Sequence, residues 1–524
     1  MVEMAKNSDY VVLSVRILYT VVIGFGLLLA AITFHGFSPV LDPIAPVTFL
    51  DRISYWMGVH EKSSIVVVEL GNLSRSRRKV LKLELLFHML NVPGAWSTLL
   101  FTYVFHRHLS DGTFHIEKEY RTTLLPGLFS DQVASNATFL QLQIEEVLSR
   151  ASEHLPSNKF RLRLRPDDCQ SEECLPPLLV KVSNDALALD ENRIQIVIQA
   201  LTKKLESNSN TSFYFNAEKS LGALNSIDQT ALQWFAINLL SHNFKDWRVS
   251  TSAIILDVSE NDAFITMAVP ANRLLPDQRV WTTRHLTAFG HDIKLVTFRY
   301  PALGLFSARA HVFHLSSTPK VFSSRDGTSG IDVRSACVNP VCDAFWHWSN
   351  NTYHIRGVVN GTYELVRERN GPFAGKRINR PVAKYDYCHR VCAAYVSEKL
   401  RVTFEERDGG KADKAIFESL RSNQHRKVFM AGLLREKSIE RGLTLPDMGG
   451  NVKMRSFLDS LKHACKVPNT EQPFACLDLM FLATLVDQLL GFKQGSILHS
   501  ASNVNGMTAE WPIAAAFHVY QNGL

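Results

Sequence analysis

Ser64-Ile65-Val66-Val67-Val68-Glu69-Leu70-Gly71 is a short apolar run that ends on an acid and a glycine. Its consecutive β-branched residues favour an extended chain, and the run is too short for a typical helix. It predicts a buried strand entering a turn. Ser252-Ala253-Ile254-Ile255-Leu256-Asp257 repeats the pattern, with Phe264 to Val269 as the expected hairpin partner. Two such units facing one another can clamp a phosphate. Turn amides hold its oxygens, and the acids orient a divalent metal and its waters. The plainer alternative is a strand-end acid capping its own turn.

The chain of 524 residues has room for several domains or one large bilobal fold. Its net charge of +7 is mild, and Lys and Arg are scattered apart from Arg75-Ser76-Arg77-Arg78-Lys79 and Arg161-Leu162-Arg163-Leu164-Arg165. Such short runs are solvated faces, so no nucleic-acid partner is expected. Leu85 to His106 is apolar but carries His88, Asn91, Pro93 and Gly94, which predicts a core helix and turn. Glu145 to Ala151 and Asn192 to Leu205 read as helices. Cys337 to Cys392 should be loops and short strands pinned by disulfides, and Glu405 to Lys466 mostly helical. Phe474 to Phe492 contains Asp478 and Asp487, so a buried helix is expected rather than a membrane span.

Ile17 to Phe34 carries no charge, and only Lys6 and Arg16 precede it before Arg52. That pattern predicts a signal-anchor helix over residues 11–34, a cytosolic tail over 1–10 and a lumenal remainder. A cleaved signal peptide is the alternative. A stem over 35–62, rich in proline, follows. The eight cysteines are even in number, as in oxidised secretory chains. Cys388-x-x-x-Cys392 lacks the further ligands that zinc spacing would need. Asn72, Asn136, Asn210, Asn350 and Asn360 each open a glycosylation acceptor. The expected compartment is the secretory pathway, Golgi or endoplasmic reticulum, or the cell surface.

Asn225-Ser226-Ile227-Asp228-Gln229-Thr230-Ala231-Leu232-Gln233-Trp234-Phe235-Ala236-Ile237-Asn238 resembles a signature of the apyrase, or ecto-nucleoside triphosphate diphosphohydrolase, family. Trp234 and Asn238 keep the spacing. Leu125-Pro126-Gly127-Leu128-Phe129-Ser130 and Leu303-Gly304-Leu305-Phe306 through Ala310 are similar to further elements. So are Phe474 to Asp478, Gly491-Phe492, and Glu510-Trp511-Pro512-Ile513-Ala514-Ala515-Ala516. The resemblance covers roughly residues 63–517 and implies an α/β fold of two actin-like, ribonuclease H-like lobes with a phosphate cleft between them. It places lobe I over 63–245, lobe II over 250–485, and over 486–524 a C-terminal segment returning to lobe I. It also implies a Cys465–Cys476 disulfide, Ca²⁺ or Mg²⁺, and a nucleoside di- or triphosphate substrate. Phosphate binding falls to Glu69, Gly71, Asp257 and Ser259. Glu69 and Asp257 meet the metal through water. A role in binding nucleotide or a protein partner stays open, and the sequence does not say which partner that is.

The departures lie where chemistry would occur. Gln229 occupies the position of the family's general base, and a neutral amide takes no proton from water. The first loop reads Glu69-Leu70-Gly71-Asn72-Leu73-Ser74-Arg75-Ser76, where a glycan on Asn72 could block the cleft. In the second, Asp257-Val258-Ser259-Glu260-Asn261-Asp262, both loop glycines are lost, and Glu260 and Asp262 would repel a polyphosphate. The family's Ala-Thr-Ala-Gly-x-Arg strand end has no good counterpart, and only the order fits near Leu164 to Asp168. A weakly active or inactive relative is expected. The alternative is an active hydrolase in which a nearby acid such as Asp228 replaces the base.

Overall fold

The computed structural model describes residues 60–72, 96–108, 114–155, 175–183, 186, 191–207, 213–271, 281–316, 320–323, 329–349, 351–358, 363–367, 377–405, 426–467, 469–504 and 506–522. The fold is mixed α/β, with five sheets among these residues. The predicted anchor, residues 35–59 of the stem, Arg75 to Lys79, Arg161 to Arg165, Asn210, Asn350 and Asn360 lie outside them, while His60 to Lys62, expected as the end of the stem, already belong to the first strand. Among the described residues no helix is long and apolar enough to cross a membrane.

The first half contains β1 (His60–Asn72), β2 (Trp96–His108), β3 (Phe114–Leu124), α1 (Asp131–Ala134), α2 (Ala137–Ser152), β4 (Leu178–Ser183), α3 (Glu191–Ser207), α4 (Ala217–Ser220), β5 (Leu221–Leu224) and α5 (Ser226–Leu240). Its strands form one sheet in the order β3-β2-β1-β4-β5. β1, β2 and β3 run antiparallel, and β1, β4 and β5 run parallel. Each face is covered by helices. Val66, Val68 and Val180 pack with Ile144 of α2 and Val197 of α3. Ile65, Val67 and Phe101 pack on the other side with Trp234 of α5. Trp96 to His106 is therefore strand, correcting the expected helix. Buried on both faces, β2 lacks the alternation that would have distinguished it.

The second half begins with β6 (Ile254–Val258), β7 (Ala263–Val269), β8 (Trp281–Ala288), β9 (His291–Tyr300) and α6 (Leu305–Ser316). Short strands β10 (Lys320–Ser323), β11 (Ser329–Ser335), β12 (Asp343–Trp348), β13 (Asn351–Gly357), β14 (Tyr363–Arg367) and β15 (Arg377–Pro381) form two small sheets. Then come α7 (Tyr385–Glu405), β16 (Val428–Ala431), α8 (Gly432–Glu440), β17 (Gly450–Lys453), α9 (Met454–Lys466), α10 (Ala475–Leu490), β18 (Ile497–Ser500), β19 (Asn503–Val504), β20 (Met507–Thr508) and α11 (Trp511–Asn522). The large sheet runs β17-β18-β16-β6-β7-β9-β8. Without its edge strands, β9-β7-β6-β16-β18 repeats the first sheet's pattern of two antiparallel steps followed by two parallel ones.

α10 is buried along nearly its whole length and ends at Gly491, whose φ of 67° supplies the left-handed cap. Cys465 and Cys476 are joined by a disulfide that ties α9 to α10. Cys337, Cys342, Cys388 and Cys392 are unpaired buried thiols, so the segment they were expected to pin is held by core packing. α11 returns to pack on β1, β2 and α5.

Candidate functional site

The predicted residues fall at the carboxyl ends of the parallel strands, where open α/β sheets place their binding crevices. In the first sheet, the β1–β2 ladder continues through Gly71 to Asn72, opposite Ser97 and Trp96. Glu69 to Gly71 are thus strand residues rather than a turn, which corrects the expected phosphate loop. Glu69 is buried at 8% exposure and stands beside Lys181 of β4. Gly71 sits in a tight place for another reason. A Cβ there would lie 2.6 Å from the Ser183 hydroxyl, which is buried and has no hydrogen-bond partner among the described residues. Ser183 was missed in the sequence. The strand ending beside Gly71 is Leu178–Ser183, and the Leu164–Asp168 segment lies outside the described residues.

β5 leads into α5, whose N-cap is Asn225. Its Oδ1 accepts from the Asp228 amide at 2.8 Å, and its Nδ2 donates to Asp228 Oδ2 at 2.8 Å. Asp228 also pairs with Arg284 of β8, an ion pair between the two halves. A carboxylate held on both sides is a poor substitute base, which weighs against that alternative. The Gln229 side chain is half-buried and makes no hydrogen bond among the described residues. Trp234 and Asn238 do structural work. Trp234 Nε1 donates to the Ala253 carbonyl at 2.8 Å, and Asn238 Oδ1 accepts from the Ala253 amide at 2.9 Å. Together they fasten α5 to the entry of β6.

In the second sheet, β6 does end in a tight turn, Ser259 to Asp262. The Ser259 amide donates to the Asp262 carbonyl, and the Asp262 amide donates to Ser259 Oγ. The carbonyls of Ser259, Glu260 and Asn261 accept from the amides of Gly304 to Ser307 at the start of α6. A Cβ on Gly304 would lie 2.4 Å from the Glu260 carbonyl oxygen, so only glycine permits this contact. The Asp262 carboxylate accepts from Arg299 at 2.7 Å and from the Ala302 amide at 3.0 Å. It is neutralised and builds the turn, correcting its expected role as a repulsive charge. Glu260 is exposed.

Asp257 is half-buried and has no hydrogen bond among the described residues. Its Oδ1 lies 2.2 Å from where a Cβ on Gly432 would stand, and Gly432 has a φ of +56°. Burial, and secondarily the Glu436 carboxylate, push Asp257 up to about 7. A chain of groups runs from here to the first sheet. Arg435 of α8 lies 3.8 Å from Glu510. The Tyr103 phenol, raised well above its usual range by burial, is within electrostatic reach of Glu119, Glu510 and Glu69. Asn136 is exposed and caps α2 through Oδ1. The side chain of Asn72 lies outside the description.

No protein-family model matches the chain. Mouse ectonucleoside triphosphate diphosphohydrolase 6 is 22% identical over 444 residues, covering 83% of this chain and 82% of that protein. Human nucleoside diphosphate phosphatase ENTPD5 is 20% identical, covering 82% and 86%. The nucleoside-diphosphatase uda-1 of Caenorhabditis elegans is 20% identical, covering 77% and 74%. A crystal structure of nucleoside triphosphate hydrolases from Neospora caninum aligns with a TM-score of 0.44 at 11% identity, covering 90% of this chain and 98% of that one. Over most of both chains, this protein is thus similar to several curated nucleoside phosphatases of the apyrase type.

Proposed function

We propose that the chain is a membrane-anchored, lumenal relative of the apyrases that retains a nucleoside di- or triphosphate site but hydrolyses its ligand weakly or not at all. The observation that carries this reading is Gln229. Its carboxamide stands one turn into α5, half-buried and without a hydrogen bond among the described residues, at the position of the general base. Losing a general base costs about 10²- to 10⁴-fold. The second turn adds to the deficit, because its Ser259 and Asp262 amides are engaged within the turn rather than aimed outward.

The repeated five-strand pattern supports two actin-like lobes, 63–245 and 250–485, with 486–524 returning to the first. Ligand would lie between the strand ends, near Glu69 and Asp257. Among the described residues no group of three or more His, Cys, Asp or Glu is arranged to hold a metal directly. The half-buried, unpartnered Asp257 suits a hydrated Ca²⁺ or Mg²⁺ met through water. Such a cation would screen phosphate charge. Secretory membranes, or the cell surface, and glycosylation at Asn136 and the other four acceptors fit this reading.

The test uses the full chain in detergent, with nucleoside di- and triphosphates and Ca²⁺ or Mg²⁺. Calorimetry should detect binding, while phosphate release stays near background. Robust release, abolished by Asp257→Ala, would overturn the reading in favour of an active hydrolase. One observation favours that second reading: a carboxyl titrating at about 7 is suited to proton transfer. Gln229→Glu alone should raise release only modestly. Full turnover should also need Ser259→Gly and Glu260→Gly.

A further inference from the structure

Asp478 lies on the buried helix α10, at 2% exposure. Its carboxylate takes both arms of Arg309 on α6. Nε donates to Oδ1 at 2.6 Å, and Nη2 donates to Oδ2 at 2.5 Å. The Arg309 guanidinium lies over the rings of Phe306, Phe474 and Trp346. Lys437 of α8 brings its Nζ to 3.6 Å from the same Oδ2 and donates to Glu440 at 2.8 Å. Two cations and two carboxylates thus balance in a nearly dry core. Apolar residues of similar volume often serve stability as well as buried ions do, so this cluster calls for a second reason.

Both cations sit on helices that begin beside Asp257. The amides of Gly304 to Ser307, at the start of α6, donate to the carbonyls of Ser259, Glu260 and Asn261 in the turn that follows Asp257. Arg309 stands just beyond them on the same helix. α8 starts at Gly432, which bridges to Val258 and approaches the Asp257 carboxyl too closely for a side chain. Lys437 stands just over one turn later. α6 and α8 both pack against α10, and Asp478 is the acid on α10 that meets a cation from each.

We propose that Asp478 is a positioning residue for the Asp257 site: it holds α6 through Arg309 and α8 through Lys437, and so fixes the turn and the glycine beside that carboxyl. The inference rests on the reading of Asp257 as the acid that meets a hydrated cation. Asp478 is enclosed by Arg309, Lys437 and the core, so it acts only through the two helices. A bidentate pair fixes direction as well as distance, which apolar contact between the same helices would not do.

The test uses the full chain in detergent. Hydrogen exchange is followed at residues 304–307 and 432–436, and the melting temperature is measured at pH 8 with and without Ca²⁺. Asp478→Asn should speed exchange at least about tenfold at both segments, the factor expected for a weakened charge-assisted contact. It should also lose most of the Ca²⁺-induced rise in melting temperature. Arg309→Met combined with Asp478→Leu removes both charges and leaves Lys437 with Glu440. This double variant should regain much of the wild-type melting temperature. Its exchange at 432–436 should nevertheless stay fast, and its Ca²⁺ rise small. It also carries the test if Asp478→Asn fails to fold. Wild-type exchange in the double variant, a change at only one segment in Asp478→Asn, or a full Ca²⁺ rise in either would overturn the proposal. No Ca²⁺ rise in wild type would instead overturn the cation reading of Asp257, and the exchange rates would still decide whether Asp478 sets the two helices.

Discussion

The two sheets share a strand pattern and place an acid near the end of their first strand, yet the two strand ends are built differently. In the first, the antiparallel ladder carries Glu69 and Gly71 onward as strand, and the acid is buried. In the second, the chain turns sharply after Val258, and Asp257 is left partly open beside Gly432. One topology thus yields an end that runs on as strand and an end that closes in a tight turn. The second holds the unpartnered carboxyl, so the capacity to meet a cation or a proton lies chiefly in the second half.

The comparison breaks most readily at its glycines. Gly432→Ala would force a Cβ against Asp257 and Val258 at a left-handed φ, and should cost about 2–4 kcal/mol by chemical unfolding. Gly71→Ala meets only the Ser183 side chain, which can rotate, and should cost about 1 kcal/mol. Ser183→Ala should recover most of that smaller loss. Equal costs at the two glycines would contradict the contrast drawn above.

Asp257 sharpens it through pH. A carboxyl raised from 3.8 to about 7 on folding favours the native state most when protonated. Its contribution is complete below pH 3.8 and is lost as pH rises towards 7. Wild type without divalent cation should therefore melt lower at pH 8 than at pH 5, and Asp257→Asn should flatten that part of the profile. Added Ca²⁺ should raise the melting temperature at pH 8 in wild type but not in the variant. The smallest effect belongs to Asp262→Asn, which weakens a pair with a half-exposed Arg299 and should cost about 1 kcal/mol by thermal melting.

Much of this was legible in the residues. The apolar runs ending at Glu69 and Asp257 announced both central strands, and the second turn followed from its local chemistry. The first turn was misplaced because an acid and a glycine look alike in a turn and in a ladder, and pairing with Ser97 and Trp96 decides between them. β2 was misread because a strand covered on both faces has no periodicity of its own. Ser183 carried no signal at all; it matters only because parallel pairing sets it beside Gly71. The repulsion assigned to Asp262 failed for a similar reason, since Arg299 comes from a strand far along the chain. The Trp234 and Asn238 spacing was visible, but its purpose, gripping Ala253, needed the fold.

The placement of α11 has a consequence for how the molecule is made. Trp511, Ile513 and Phe517 fill the same core as Ile65, Val67 and Phe101. The first sheet and α5 leave the ribosome early, but the face they share stays incompletely covered until the last few dozen residues have been synthesised. A nascent chain therefore displays an apolar surface for most of its translation, and a stop codon before Trp511 would make that exposure permanent.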